Sequence, residues 1–293
     1  MKFYLPNFLR EPQLNFYIVE LWLDHPEYFN QGLEIGGLYD CAPGAIWNGG
    51  RLLSGWMPKP EIQDIIKGYN NLGIPVRFTF TNHLLEEKHL NDTYCNMLMD
   101  VADNGMNEVI INSSLLEDYL REKYPNFKYI LSTTRCERDL DKINEATKNY
   151  DLVVTDYRDN PNLTFLQGIK DKSKIELLVN AYCDPKCACR KRHYDCIARH
   201  QLNFEPMNPM TDKQFTECPT YRRDFYEILE FPTVLTTKDI SGRYTKMGFE
   251  HFKLEGRTMP PAQVIESYIY YLIKPEYQNK VRLDILNNCI GRG

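Results

Sequence analysis

The sequence lacks the features that would place it at a membrane. No window offers the roughly 18 uninterrupted apolar residues of a membrane-spanning helix. Pro6 and Asn7 interrupt the apolar run at the N-terminus, so this run does not resemble a secretory signal. We therefore expect a cytoplasmic protein with no membrane partner.

The sequence also lacks an excess of positive charge. It contains 35 Lys and Arg residues against 40 Asp and Glu residues, and its formal net charge is −5. General attraction to a nucleic-acid backbone requires a basic surface, and the one dense basic segment spans residues 190–193. Charge therefore gives no reason to expect non-specific nucleic-acid binding.

Several catalytic motifs are missing. The chain has no H-E-x-x-H zinc motif, and we find no Ser–His–Asp or Cys–His pattern of the kind proteolysis would need. The segment after residues 35–40 has no glycine-rich dinucleotide fingerprint, although residues 47–51 (Trp-Asn-Gly-Gly-Arg) could bind an anion or form a plain turn.

Cysteine, in contrast, is concentrated in one part of the chain. Five of the nine cysteines lie between Cys183 and Cys218, and the densest run has the spacing C-x3-C-x-C. Reducing conditions disfavour disulfides, so a cytoplasmic cysteine cluster more often binds metal. Thiolates suit iron–sulfur clusters or zinc, but structural zinc sites favour C-x2-C pairs. The spacing therefore favours an iron–sulfur cluster, with zinc as the alternative.

Short β-branched or aromatic runs alternate with amphipathic helical stretches. This rhythm predicts an α/β fold, and eight such runs in one chain predict a closed (β/α)8 TIM-type barrel, with an open doubly wound sheet as the alternative. The predicted strands are 35–40, 76–82, 108–113, 127–133, 151–157, 174–180, 233–237 and 251–257. The main predicted helices are 60–72, 90–102, 114–123, 138–150 and 261–273.

We expect residues 1–293 to form a single barrel domain. The interval between the strands at 174–180 and 233–237 is too long for a simple crossover and contains the cysteine cluster. We therefore predict a cysteine-rich insertion, residues 181–232, after the sixth strand. It would rest on the carboxyl-end face, where barrels of this kind keep their active sites.

Polar residues at strand ends are the candidates for chemistry. Glu255 and Arg257 follow Phe252-Lys253-Leu254 in alternation, which places them near the carboxyl end of a strand as catalytic candidates or as a buried salt bridge that closes the barrel. Strand position alone adds Asp156 as a catalytic candidate, and Arg158 and Asn180 as substrate-binding candidates.

The segment Phe252-Lys253-Leu254-Glu255-Gly256-Arg257 and the order of the cysteines resemble the collagenase-like peptidase family, U32. The family's closing motif reads close to phenylalanine-lysine-isoleucine-glutamate-glycine-arginine, and the resemblance covers roughly residues 105–275. The chain departs from the family in lacking a glycine-rich stretch with asparagine-arginine-glycine before a cysteine. It therefore looks like a divergent, short branch whose substrate cannot be inherited.

This resemblance implies a barrel with a 4Fe–4S cluster on four cysteines. By position Cys183, Cys187 and Cys218 match the family's ligands. Cys189 is the fourth candidate, with Cys196 and Cys41 left open.

The resemblance also implies an enzyme for oxygen-independent hydroxylation, or a related modification, of a small aromatic or RNA substrate. It adds prephenate as a co-substrate and a second protein of the same family as a partner. Two alternatives stay open. One is a non-catalytic metal-stabilised barrel that acts as a binding protein, and the other is a peptidase.

Overall fold

A computed structural model describes residues 1–218, 220 and 223–290. Eight strands form a closed barrel in which each strand pairs in parallel with the next, and β1 pairs with β8 to close the circle. The strands are β1 (Lys2–Pro6), β2 (Glu34–Asp40), β3 (Val76–Phe80), β4 (Glu108–Ile111), β5 (Lys128–Leu131), β6 (Leu152–Val154), β7 (Ile175–Leu178) and β8 (His251–Lys253).

Helices connect the strands around the outside of the barrel, as expected for right-handed parallel crossovers. In chain order they are α1 (Pro12–Asp24), α2 (Lys59–Asn71), α3 (Glu87–Leu90), α4 (Thr93–Ala102), α5 (Ser114–Lys123), α6 (Leu140–Asn149), α7 (Leu163–Gly168), α8 (Arg190–Asn203), α9 (Lys213–Thr216), α10 (Phe225–Ile228), α11 (Thr237–Asp239), α12 (Pro261–Leu272) and α13 (Gln278–Ile285). Within the described ranges, no helix is both long enough and apolar enough to span a membrane.

The strands have two differently built faces. Outward residues such as Val76, Phe78 and Phe80 belong to the large apolar core between the barrel and its helices. A smaller group that includes Tyr4 and Tyr39 fills the barrel interior. Polar residues of the same strands also point inward, so charged groups lie along the barrel axis.

The predicted barrel is confirmed, but one predicted strand is wrong. Residues 233–237 do not form a strand, because Thr236 caps α11: its hydroxyl accepts a hydrogen bond from the Asp239 N–H at 3.1 Å. The strand that sequence analysis missed is β1, a short apolar run that ends at Pro6. The cysteine-rich segment therefore follows the seventh strand, not the sixth.

Some strand ends are also shorter than predicted. The last strand ends at Lys253, so Glu255 and Arg257 lie in the loop that follows β8. The strands β6 and β7 likewise end before Asp156 and Asn180. The five predicted helices are present, and α5 has the predicted bounds.

Candidate functional site

A central cavity lies at the carboxyl end of the barrel interior. Its floor includes the ring of Tyr39 and the ammonium group of Lys253, whose Nζ lies 3.3 Å from Glu176 Oε1. The cations and the serine and threonine side chains that line it are Arg51, Lys253, Arg257, Thr79, Thr81, Ser132, Thr133 and Thr134. Cations outnumber carboxylates on this wall, so the cavity favours an anionic ligand.

Lys253 lies in a buried position that disfavours its charged form. Burial lowers the pKa of Lys253 to about 8, although the neighbouring Glu176 carboxylate opposes this shift. The ammonium nitrogen also lies 4.0 Å from the centre of the Tyr39 ring. Lys253, at the floor of the central cavity, therefore titrates near pH 8.

Arg257 reaches into the central cavity from the loop after β8. Its Nη1 donates to the hydroxyl of Thr79 at 2.5 Å and to the sulfur of Cys41 at 2.7 Å. A side chain at position 50 would crowd the guanidinium, since a Cβ on Gly50 would lie 3.2 Å from Arg257 Nη2. Position 49 must also be a glycine, because an added Cβ there would lie 2.4 Å from the Thr81 backbone. The two glycines of the 47–51 segment therefore let this loop close over the cavity.

Glu255 pairs with Arg51 of that same loop. One carboxylate oxygen accepts a hydrogen bond from Arg51, and the other accepts from the backbone N–H of Tyr182 at 3.0 Å. Asn180 is fully buried and fixes this loop, since its side chain accepts from the Glu255 N–H at 2.6 Å and donates to the Glu255 carbonyl at 3.0 Å. Asn180 therefore positions Glu255 through its backbone.

A second cavity, called here the upper cavity, adjoins the central one and shares Arg51, Glu255 and Tyr194 with it. Its wall also includes Arg190, the first residue of α8, which is 5% exposed. The Arg190 guanidinium lies 4.6 Å from the centre of the Tyr157 ring. The upper cavity thus also presents a buried cation.

Asp156 holds Arg190 in this position. Its carboxylate forms an ion pair with Arg190, whose Nη1 lies 2.6 Å from Oδ2, and it accepts hydrogen bonds from Arg158 Nε at 2.9 Å and Nη2 at 2.7 Å. Burial alone would raise the pKa of Asp156, but the Arg158 hydrogen bonds and the Arg190 charge outweigh burial and lower it. Asp156 therefore stays ionised and orients two arginines, an arrangement unsuited to a general base.

Cys183 lines the upper cavity, where it packs beside Tyr157. Burial raises the pKa of Cys183 to about 11, the Tyr157 hydroxyl lowers it in part, and the nearby Cys187 raises it. A bound metal would reverse this effect, because metal coordination deprotonates a thiol. Cys183 and Cys187 are thus electrostatic neighbours at the edge of the cavity.

Cys189 and Cys218 lie on the segments that follow. Cys189 occupies the position before α8, and its sulfur accepts from Arg192 Nη2 at 3.0 Å. The Cys218 thiol donates to the hydroxyl of Thr220 at 3.3 Å, and Thr220, like Cys183, lines the upper cavity. The half-buried thiols and the neighbouring arginines suit an anionic thiolate-bound cluster.

The four predicted cluster cysteines are not grouped as tightly as a single ion requires. In the described part of the chain, one group of three ligand atoms from Cys, His, Asp or Glu lies within 4.8 Å, and it consists of Cys196, His200 and Asp212. Cys183, Cys187, Cys189 and Cys218 form no such group among the described residues.

The remaining cysteine candidates lie elsewhere. Cys41 is fully buried, and its sulfur lies 2.9 Å from the Oγ1 of Thr79, which lines the central cavity. Cys196 lies in the group just described and is 2% exposed. Burial, with the neighbouring Asp212 carboxylate, raises the pKa of Cys196 to about 11, so this Cys, His and Asp set is unsuited to nucleophilic catalysis.

Three residues of the site have contacts that sequence analysis did not predict. Lys253 was noted only as part of the closing motif, and Arg190 only as part of the basic segment beside the cysteines, so neither was placed in a cavity wall. The alternation of side chains that predicted an inward Glu255 also predicts an inward Lys253, so the sequence contained a signal for Lys253. The pairing of Arg51 with Glu255 had no local signal, because the two residues are 204 positions apart.

Comparison with known proteins supports the fold alone. No family model and no curated protein matches the chain. Among solved structures, the U32 peptidase Mk0906 matches with a TM-score of 0.53 and 16% sequence identity, over 88% of this chain and 94% of that chain. At that identity the likeness shows a similar barrel fold and leaves the activity to be argued from the site.

Proposed function

We propose that this protein is an iron–sulfur-dependent enzyme that binds an anionic small molecule at the carboxyl end of the barrel. The cluster ligands are Cys183, Cys187 and Cys218, with Cys189 as the fourth. The observation that carries the proposal is that Cys183 lines the same cavity as Arg190 and Glu255. A metal cluster on these thiols therefore lies beside bound substrate.

The reaction class comes from the resemblance to the U32 family, and the cavity chemistry supports it. Hydroxylation without molecular oxygen needs another source of the oxygen atom, and prephenate is the co-substrate that the resemblance implies. Prephenate carries two carboxylates, and an arginine binds such a group through paired hydrogen bonds. Arg257 and Lys253 in the central cavity and Arg190 in the upper cavity supply the matching cations.

The residues of the chain have separate tasks in this proposal. Arg257 binds a carboxylate, and Glu255 fixes the guanidinium of Arg51 beside it. Asp156 keeps Arg190 in the cavity wall. The cluster, when bound, supplies electron-transfer chemistry next to the substrate.

The substrate is a small aromatic molecule or an exposed RNA base. The narrow, cationic cavity favours the small molecule, and the formal net charge of −5 gives no support to extended RNA binding. An oxygen-sensitive cluster on reduced thiols is suited to the reducing cytoplasm, and the proposed partner there is a second protein of the same family.

Proteolysis is a weaker candidate. Mk0906 is described as a U32 peptidase, and the likeness to it extends only to the fold. The one Cys, His and Asp group that the described residues bring together contains a buried thiol whose pKa is raised. This environment disfavours the thiolate that a peptidase nucleophile needs.

Anaerobic purification tests the proposal. We expect brown protein with a broad visible absorbance and with iron and acid-labile sulfide in equal amounts. Cys183→Ser should lose most of the iron. Cys95→Ser, which changes a fully buried thiol on α4, serves as the control and should keep it. Colourless wild-type protein, or equal iron loss in both variants, would contradict the proposal.

A further inference from the structure

A compact group of metal-binding side chains lies outside the two cavities. Cys196 and His200 are four residues apart on α8, so they share one face of the helix. Asp212, which precedes α9, meets them from the next segment. The ligand atoms of all three lie within 4.8 Å of one another, and the His200 Nε2 to Asp212 Oδ2 distance is 2.9 Å.

This spacing suits one ion. Bonds of about 2.0–2.3 Å from a central ion reach ligand atoms that lie up to roughly 4.6 Å apart. The three side chains are deeply buried, with 2%, 7% and 5% of Cys196, His200 and Asp212 exposed. His200 Nδ1 has no hydrogen-bond partner, so hydrogen bonding among the described residues leaves this buried imidazole incompletely satisfied.

The donor set also selects the ion. A thiolate, an imidazole and a carboxylate together are a typical ligand set for zinc, and hard cations such as magnesium prefer oxygen alone. A thiolate and a carboxylate carry two negative charges, which a divalent cation neutralises. Arg199 flanks the group, with its Nη2 3.8 Å from Cys196 Sγ and from Asp212 Oδ1, and its side chain is 59% exposed. Arg199 therefore marks the edge of the group that is nearest to solvent.

We infer that Cys196, His200 and Asp212 bind a divalent transition-metal ion, zinc by their donor set, at a site separate from the cysteines that line the upper cavity. The ion joins the middle of α8 to the segment that leads to Cys218. The Asp212 carbonyl accepts from the Phe215 N–H at 2.8 Å, and the Phe215 carbonyl accepts from the Cys218 N–H at 3.2 Å.

A ring contact strengthens the same connection. His193 of α8 stacks on Phe215 of α9, with ring centres 4.8 Å apart and planes 4° apart. The zinc site and this contact together hold the arm that carries Cys218. The site does not depend on the proposed function, because its three ligands are not ligands of the proposed cluster.

Elemental analysis of zinc and iron in the anaerobically purified full chain, dialysed against zinc, tests the inference. We expect one zinc per chain in the wild type. Cys196→Ser, His200→Asn and Asp212→Asn should each lose that zinc and keep most of the iron. Cys183→Ser should keep the zinc while it loses iron, and Arg199→Ala, at the exposed edge of the site, should also keep the zinc.

Other zinc contents would overturn the inference. It fails if the wild type binds no stoichiometric zinc, or if Cys196→Ser and Asp212→Asn still bind one zinc per chain. It also fails if Cys183→Ser is the variant that loses zinc, because the ion would then lie at the cavity cysteines. Should the ligand variants fail to fold, the wild type still decides: zinc must raise its melting temperature and magnesium must not.

Discussion

The two ends of the barrel interior are both charged, but they are built differently. At the amino-terminal end Arg77 is fully buried, forms ion pairs with Glu108 and Glu176, and lies 3.4 Å from the centre of the Tyr4 ring. At the carboxyl end Arg257 contacts only a hydroxyl and a thiol at its Nη1 and borders a cavity. The first arrangement stabilises the barrel, and the second leaves charge available to a ligand.

Lys253 links the two ends. Its ammonium group pairs with Glu176, which belongs to the amino-terminal network, yet it also lines the central cavity. A charge that is shared in this way should affect both stability and ligand binding. The comparison therefore predicts three kinds of variant, which differ in how much stability they lose.

The largest loss of stability should come from Arg77→Met. The change leaves Glu108 and Glu176 without their common partner in a buried site, and such a loss costs about 3–5 kcal/mol. Thermal unfolding should show a decrease on the order of 10 °C. Arg257→Met is the matched control and should cost about 1 kcal/mol, because it removes hydrogen bonds to uncharged groups. Equal losses of stability from Arg77→Met and Arg257→Met would contradict the difference drawn between the two ends of the barrel.

An intermediate loss should come from Asp156→Asn. The neutral amide leaves Arg158 and Arg190 without their carboxylate, at a cost of about 3 kcal/mol. Asp159→Asn, on the same turn, is the control. Its partner Arg138 is 47% exposed, so the cost should be about 1 kcal/mol. Denaturant unfolding of the two variants measures the difference, and a larger cost for Asp159→Asn would contradict the role given to Asp156.

Lys253 should give a pH dependence of stability rather than a fixed loss. Its pKa is lowered from 10.5 to about 8 in the folded protein, so between these values the unfolded chain binds more protons. Wild-type stability should therefore rise with pH from about 8 to 10.5 relative to Lys253→Met. The affinity for prephenate should fall over the lower part of that range, as the amine loses its charge. Parallel pH profiles of wild type and variant would contradict this assignment.

Much of the fold was predictable because parallel barrels have a strong periodic signal. Residues 76–80 alternate apolar and polar positions, and this pattern usually indicates a strand with one face in water. Here the apolar face packs on the helices and the polar face points into the barrel. Alternation correctly predicted the strand, but it could not tell a solvated face from a charged interior.

The errors have local causes. Residues 233–237 contain the β-branched residues of a strand, but the capping interaction of Thr236 begins a helix instead. The first strand was missed because its five residues end at Pro6 and were considered only as a possible secretory signal. One missed strand and one false strand gave the correct total of eight.

The candidate site was predictable only where its residues are close in sequence. Cys183 and Arg257 follow strands, so strand direction placed them at one end of the barrel. The grouping of Cys196 and His200 with Asp212, and of Arg51 with Glu255, depends on loops whose paths the sequence pattern does not encode. Sequence analysis could therefore name the end of the barrel but not the partners within it.

Binding of prephenate to Arg257→Lys, measured by calorimetry beside melting temperature and iron content, tests the central claim most directly. A lysine keeps the charge but cannot reproduce the two parallel hydrogen bonds of a guanidinium. The account predicts wild-type melting temperature and iron content, with an affinity for prephenate at least about 100-fold weaker, near the upper cost of a charged hydrogen bond. Wild-type affinity in the folded, iron-loaded variant, or no binding by the wild type itself, would contradict it.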